Sequence, residues 1–189
     1  GLNSQLFKAM PLYKSTIFRL ALIQFCKHCP INFRPLLIVP KGFNPKGGAL
    51  FLLGMLNLFR HTGDDRIANE AYILFQRLKR LAIHREQGMG WGYNFDWQAR
   101  AFFVPQGTPN LVTSVYVGRA FLDYYRVFGD EQALAMALAI TDFIMGEMIK
   151  FETQEHLCFN YIPERDAEVH NANLLGASFL AETLPYQPK

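Results

Sequence analysis

Arg60-His61-Thr62-Gly63-Asp64-Asp65 and Arg126-Val127-Phe128-Gly129-Asp130-Glu131 are two copies of one turn. Each follows an apolar stretch and precedes a second periodic one. In each, glycine supplies the left-handed residue that ends a helix, and aspartate caps the next. The basic residues ahead of the glycine fall at a helix C-terminus, where they complement the dipole. The turn joins two helices back to back, so two copies of it predict repeated αα-hairpins.

Outward from the first turn, Ala49–Arg60 reads as an apolar helix, and a second helix runs on to about Ile83. Around the second turn, Ser114–Phe128 pairs with a helix that continues to about Ile149. The following helix of each pair is amphipathic: Ile67, Ala71, Leu74, Leu78 and Leu81 in one, Leu134, Leu138, Thr141, Met145 and Met148 in the other. The leading helices are apolar nearly all round, as inner helices would be. A third copy begins at Asn171 and runs to Leu184, with no second helix after it. Leu53-Gly54, Val117-Gly118 and Leu175-Gly176 take equivalent places, where small residues let inner helices approach closely.

Residues 1–45 precede the repeats. Leu2–Met10 and Ser15–Cys29 read as short helices separated by Pro11. Pro30, Pro35, Pro40 and Pro45 then forbid a continuous helix and predict an extended connector, with a short strand at Leu36–Val39. The expectation is an all-α chain, one αα-hairpin domain over residues 1–189, forming an open arc of an αα-toroid.

Composition narrows the function classes. Of 189 residues, 50% are hydrophobic and 19% charged, which supports a packed core and excludes disorder. A net charge of +3 with no dense Lys/Arg stripe gives no reason to expect nucleic acid as a partner. No apolar run reaches the roughly 20 residues of a membrane span, so a cytoplasmic location is expected. Gly1 in place of Met leaves a removed leader or an internal start open. Cys26, Cys29 and Cys158 are an odd set, which argues against a disulfide framework. Cys26 and Cys29 have half the spacing of a zinc site, with His156 and Cys158 as the other half. Reduced thiols at a helix end are the better reading, and no metal or cofactor is expected.

The chemistry is expected in the loops that join one hairpin to the next. In the first, Trp91, Tyr93, Phe95 and Trp97 alternate with Gly92, Asn94, Asp96 and Gln98, followed by Arg100. An extended chain would show an aromatic wall on one side and a carboxylate with amides on the other, a surface suited to a sugar's C–H faces and hydroxyls. An aromatic plug with Asp96 as a cap explains the same residues equally well. The second loop runs through Tyr161, Glu164 and Asp166 to His170, Asn171 and Asn173 at the start of an inner helix. There His170 would serve as a neutral base, or simply stand exposed beside a capping Asn171 or Asn173. Asp96, Glu164, Tyr161 and His170 are the catalytic candidates. Trp91, Tyr93, Trp97, Gln98, Arg100, Asn171 and Asn173 are the candidates for substrate binding. Thr108-Pro109-Asn110 opens the second inner helix as a cap. Asp64-Asp65 lacks the further acid of a magnesium-binding cluster, and capping explains it.

Asn32-Phe33-Arg34-Pro35-Leu36-Leu37, Asn44-Pro45-Lys46, Trp91 to Gln98, Thr108-Pro109-Asn110 and Asn171-Ala172-Asn173-Leu174-Leu175-Gly176 together resemble a microbial family associated with surface-polysaccharide biosynthesis loci. The resemblance implies the αα-toroid shape shared by terpenoid cyclases, protein prenyltransferases and many glycan lyases, epimerases and hydrolases. It implies a carbohydrate setting but assigns no reaction and no catalytic residue. Toroids of this kind continue through further hairpins, which this chain lacks.

Three readings follow. The leading one is a carbohydrate-binding or carbohydrate-processing protein acting on a polysaccharide or its precursor, of lyase, epimerase or hydrolase type if catalytic. The second is a non-catalytic helical scaffold for a protein partner. The third is an isoprenoid cyclase or prenyltransferase relative. The partners expected are a glycan or small molecule and a second copy of the chain, a homodimer formed to cover the apolar third inner helix. The alternative cover is Leu2–Cys29 folded back within one chain.

Overall fold

A computed structural model describes residues 2–163 and 165–187. The chain is mostly helical, with a few short strands. It divides into two compact units, and the division does not follow chain order. Residues 1–43 and 94–107 form the first; residues 44–93 and 108–189 form the second.

The second unit contains the hairpins. Helix α3 (Pro45–Thr62) ends at Gly63, whose φ is 61°, and α4 (Asp65–Lys79) starts after Asp64. Helix α5 (Leu111–Phe128) ends at Gly129, φ 67°, and α6 (Glu131–Glu147) starts after Asp130. The aspartate side chains accept from the amides of Arg66 and Ala133, so both turns are built as their sequence requires. Asn44 and Asn110 cap the two leading helices, accepting from Lys46 N and Thr113 N. Asn44 and Asn110, Gly63 and Gly129, and Asp64 and Asp130 are each 66 residues apart. A strict register therefore relates the two copies.

The register extends into strands that periodicity did not reveal. The second helices stop short of Ile83 and Ile149, which open antiparallel ribbons instead. Strand β1 (Ile83–His84) pairs with β2 (Met89–Gly90). In the first unit β3 (Trp97–Gln98) pairs with β4 (Phe103–Val104), and in the second β5 (Ile149–Glu152) pairs with β6 (Leu157–Phe159). The repeat is thus helix, turn, helix, ribbon, and the chain is not purely α.

Helix α5 is the centre of this unit. It packs against α3, α4, α6 and the third leading helix, α7 (His170–Thr183). Trp91, Phe75 and Phe121 are fully buried around it, with Phe75 stacked on Tyr124 at 4.4 Å. Lys46 of α3 lies over the Tyr116 ring of α5, and Arg60 pairs with Asp123 at 2.6 Å. Arg119 of α5 pairs with Glu182 of α7 at 2.6 Å. Contacts advance in the same direction along each pair, from Lys46–Tyr116 to Arg60–Asp123 and from Leu111–Gly176 through Gly118–Phe179 to Arg119–Glu182, so α3, α5 and α7 run parallel.

Three packing expectations are corrected. On α6 the buried face is Ala133, Met136, Ala137, Ile140, Thr141, Phe143 and Ile144, with Met145 exposed, because a helix apolar all round has no unique stripe. The glycines are not equivalent: in the 66-residue register Gly54 matches Ala120. Gly118 meets the Phe179 ring, whereas Gly54 faces open space. An open apolar face lies on α3, where Phe51 is 70% exposed beside Leu50 and Leu58. On α7 Phe179 is buried and Leu174 is exposed, as is Leu184 just past its end.

The first unit contains α1 (Gln5–Ala9), a 3₁₀ turn at Pro11–Lys14 and α2 (Thr16–His28). The expected strand at Leu36–Val39 is a turn instead, with Ile38 at φ 47°. Ser4 Oγ donates to Leu37 O, and Gln5 N to Ile38 O, which ties the connector to α1.

Candidate functional site

The first unit is organised by two polar groups that its sequence keeps far apart. Arg19 is the lone charge in the apolar stretch Thr16–Cys26 and is buried in α2. A buried guanidinium requires acceptors for its donors. Nε donates to Gln98 Oε1 at 2.7 Å, Nη1 to the carbonyls of Tyr13 and Lys14 at 2.8 and 3.1 Å, and Nη2 to Thr16 Oγ1 at 3.2 Å. Its charge stacks 4.4 Å from the Phe103 ring centre. Gln98 then donates to the carbonyls of Ala99 and Phe102, closing the β3–β4 ribbon. Gln98 is thereby a buried staple.

Asp96 is the second group, 7% exposed. Oδ2 accepts from Lys8 Nζ at 2.6 Å and from the Tyr13 hydroxyl, and Oδ1 accepts from Gln106 N at 2.7 Å. Burial pushes its pKa up, but hydrogen bonds from Lys8, Tyr13 and the Gln106 amide, with the charge of Lys8, outweigh burial and hold it below the ordinary carboxylate value. The same contact pushes Tyr13 well above the ordinary phenol range, by burial first and by Asp96 second. Asp96 is therefore an ionised anchor held by three donors. Lys8, Tyr13 and Arg19 lay outside the candidates read from sequence; the isolated charge of Arg19 in α2 was the one available signal.

Beside these anchors the unit carries a groove of about 780 Å³. Phe95 and Trp97 line it, with Trp97 edge-on to Phe102 at 5.5 Å. Asn32, Arg34, Pro35, Pro40 and Lys41 of the proline-rich connector also line it. Asn3 and Asn94 complete the lining, and Asn3 Nδ2 donates to Asn94 O at 2.8 Å. The Oδ1 atoms of both asparagines are buried and meet no donor among the described residues. Gly42 sits against the Asn94 amide with no room for a Cβ. Along this segment Asp96 and Gln98 are the buried set, and Phe95 and Trp97 are partly exposed. Arg100 is exposed.

The remaining candidates lie in the helical unit. Trp91 is fully buried; its Nε1 donates to Leu78 O at 2.9 Å and its ring meets Phe121 edge-on, so it is core and offers no face to a ligand. The hydroxyls of Tyr93 and Tyr161 are 2.8 Å apart, which brings the start of the first loop to the second. Burial, then Tyr93, raises the Tyr161 pKa far above the phenol range. Asn173 accepts from Phe159 N at 2.6 Å and donates to Phe159 O at 3.0 Å, locking α7 to β6. Neither Asn171 nor Asn173 caps α7, whose N-cap is Val169. His170 has a side chain 92% exposed, 3.6 Å from Glu168. Asp166 and Glu168 both pair with Lys150. Glu164 lies outside the described residues.

Asn110 Nδ2 and Thr113 Oγ1, at the start of α5, are buried without partners among the described residues. Cys26 and Cys29 belong to the first unit, and His156 and Cys158 to the second. Among the described residues no group of three or more His, Cys, Asp or Glu is placed to hold a metal. None of the helices described is long and apolar enough to cross a membrane.

Compared with known protein families, curated proteins and solved structures, the chain finds no match.

Proposed function

We propose that this protein binds a carbohydrate, a polysaccharide or its precursor, in the groove of the first unit. The observation that supports the reading is a pair of buried amide oxygens, Asn3 Oδ1 and Asn94 Oδ1, that meet no donor among the described residues, in a groove that also presents Phe95 and Trp97. A buried acceptor without a donor costs about 1–3 kcal/mol. A sugar hydroxyl that reached either amide oxygen would supply the missing donor while the ring face rests on Trp97. The weight falls on binding, because Asp96 is held ionised by three donors.

Tryptophan fluorescence tests it. Trp91 is buried in the helical unit and Trp97 lines the groove, so glycan binding should change the emission of Trp97 alone. Trp97→Phe should abolish the response and Trp91→Phe should preserve it. A response that survives in Trp97→Phe counts against the groove.

We further propose that α3, α5 and α7 are successive inner helices of an αα-toroid arc, and that a second copy covers α3. Leu50, Phe51 and Leu58 are exposed on α3, whereas Val117 and Tyr124, which match Phe51 and Leu58 in the 66-residue register, are buried on α5. The face that packing covers on one copy of the repeat is open on the other, and a two-fold pairing of α3 with α3 would cover it in both chains.

A further inference from the structure

The groove has a charge that its aromatic lining does not explain. Its ionisable lining residues are Arg34, Lys41 and Asp96. Asp96 is already neutralised, with Lys8 at 2.6 Å and two further donors on its oxygens. Arg34 and Lys41 are both exposed, and among the described residues neither makes an ion pair. The excess in the groove is thus two free cations on one connector, facing no free anion.

The connector makes that excess persistent. Pro35 and Pro40 stiffen the backbone between the two cations, and the turn at residues 32–40 is closed by Leu37 N to Phe33 O at 2.9 Å and Val39 N to Arg34 O at 3.1 Å. Ser4 and Gln5 fasten the same turn to α1 through Leu37 O and Ile38 O. The held turn carries Arg34, Lys41 follows it just beyond Pro40, and both line the groove, so part of the ordering cost is met before a ligand arrives. Guanidinium is the group that matches a carboxylate by two parallel hydrogen bonds, and an ammonium adds a point charge.

We infer that the ligand is an acidic saccharide, one whose sugar carries a carboxylate, with Arg34 and Lys41 as the residues that select it. This rests on the carbohydrate reading of the same groove and deepens it. The ring stacks on Trp97, the hydroxyls reach Asn3 and Asn94, and the carboxylate meets Arg34. Neutral sugars of the same size retain the stacking and forgo the charge.

The test is a set of fluorescence titrations of the full chain with three probes of similar length: oligogalacturonate, a neutral malto-oligosaccharide, and oligoglutamate, an acidic chain without sugar rings. Oligogalacturonate should bind at least tenfold more tightly than the neutral oligosaccharide, and that advantage should shrink as sodium chloride is raised from 50 to 500 mM, as screening requires. Arg34→Ala should cost roughly tenfold in affinity for the acidic sugar, the effect of one charge-assisted hydrogen bond, and cost the neutral sugar less. Both cations are exposed, so circular dichroism should show Arg34→Ala and Lys41→Ala folded as the parent is. Equal binding of acidic and neutral sugars overturns this inference and leaves the carbohydrate reading standing. Binding of oligoglutamate as tight as that of oligogalacturonate overturns it as well, because the groove then reads charge alone. No Trp97 response to either sugar overturns the carbohydrate reading and this inference with it.

Discussion

Lys8 Nζ lies 2.6 Å from Asp96 Oδ2, across 88 residues of sequence, and that contact fastens the start of the chain to the 94–107 segment. Tyr13 and the Gln106 amide share the same carboxylate. Asp96→Asn leaves Lys8 facing a neutral amide and turns one acceptor oxygen into a donor. The expected loss is about 1–3 kcal/mol, read as a lower urea midpoint at pH 7. An unchanged midpoint would remove Asp96 from this anchoring role.

The same carboxylate sets an acid limit. Its folded pKa is below the unfolded value, so its contribution is fully present above the unfolded value, near 4, and is lost as pH falls through the folded value. The stability gap between parent and Asp96→Asn should therefore be constant from pH 7 to 5 and close below pH 4. A gap that stays constant down to pH 2.5 contradicts the assignment.

Tyr161 sets an alkaline limit by the opposite sign. Its folded pKa is raised by burial and by Tyr93, so its contribution is present below the ordinary phenol value, near 10, and is lost as pH rises through the folded value. Absorbance titration at 295 nm should show that Tyr161→Phe leaves the curve unchanged up to pH 11. A missing titration step below pH 11 in that variant would show that Tyr161 ionises normally.

The Gly118–Phe179 contact gives a packing test with its own control. A Cβ at 118 would enter the Phe179 ring, whereas a Cβ at 54 meets nothing. Gly118→Ala should cost about 1–3 kcal/mol by overpacking, and Gly54→Ala should gain up to about 1 kcal/mol from helix propensity. Thermal melts of both variants check the signs. Equal gains would mean that α7 does not pack against α5 as described.

These cases show where sequence reasoning reaches. Gly63-Asp64 and Gly129-Asp130 were legible because a left-handed residue followed by a capping side chain is local chemistry. The ribbons at Ile83 and Ile149 were not, because two-to-four-residue strands lack a period and their apolar residues read as more helix. Trp91 and Trp97 looked alike in one alternating run, yet the chain passes from one compact unit to the other between them, and one ring became core while the other lines a groove. The Asp96 cluster was hidden because Lys8 and Tyr13 are ordinary until a fold brings them to a carboxylate some eighty residues away. Arg19 was visible as a lone charge, but its acceptors were not.

The outer face of α3 supplies the last prediction. Leu50, Phe51 and Leu58 lie on one side of an 18-residue helix, half or more of each of the larger two in water. At about 25 cal/mol per Å², leaving a few hundred Å² of such surface wet forgoes several kcal/mol. Val117 and Tyr124, at the matching positions of α5 in the 66-residue register, are buried. Sedimentation at micromolar concentration should therefore find a dimer. Phe51→Asp sets like charges against each other across a two-fold contact and should give a monomer with unchanged helicity. Leu174→Asp is the control, because Leu174 on α7 is 73% exposed yet lies outside the proposed contact, and it should leave the dimer intact. A monomeric parent protein sinks the dimer outright. A dimer broken by Leu174→Asp and spared by Phe51→Asp moves the interface from α3 to α7.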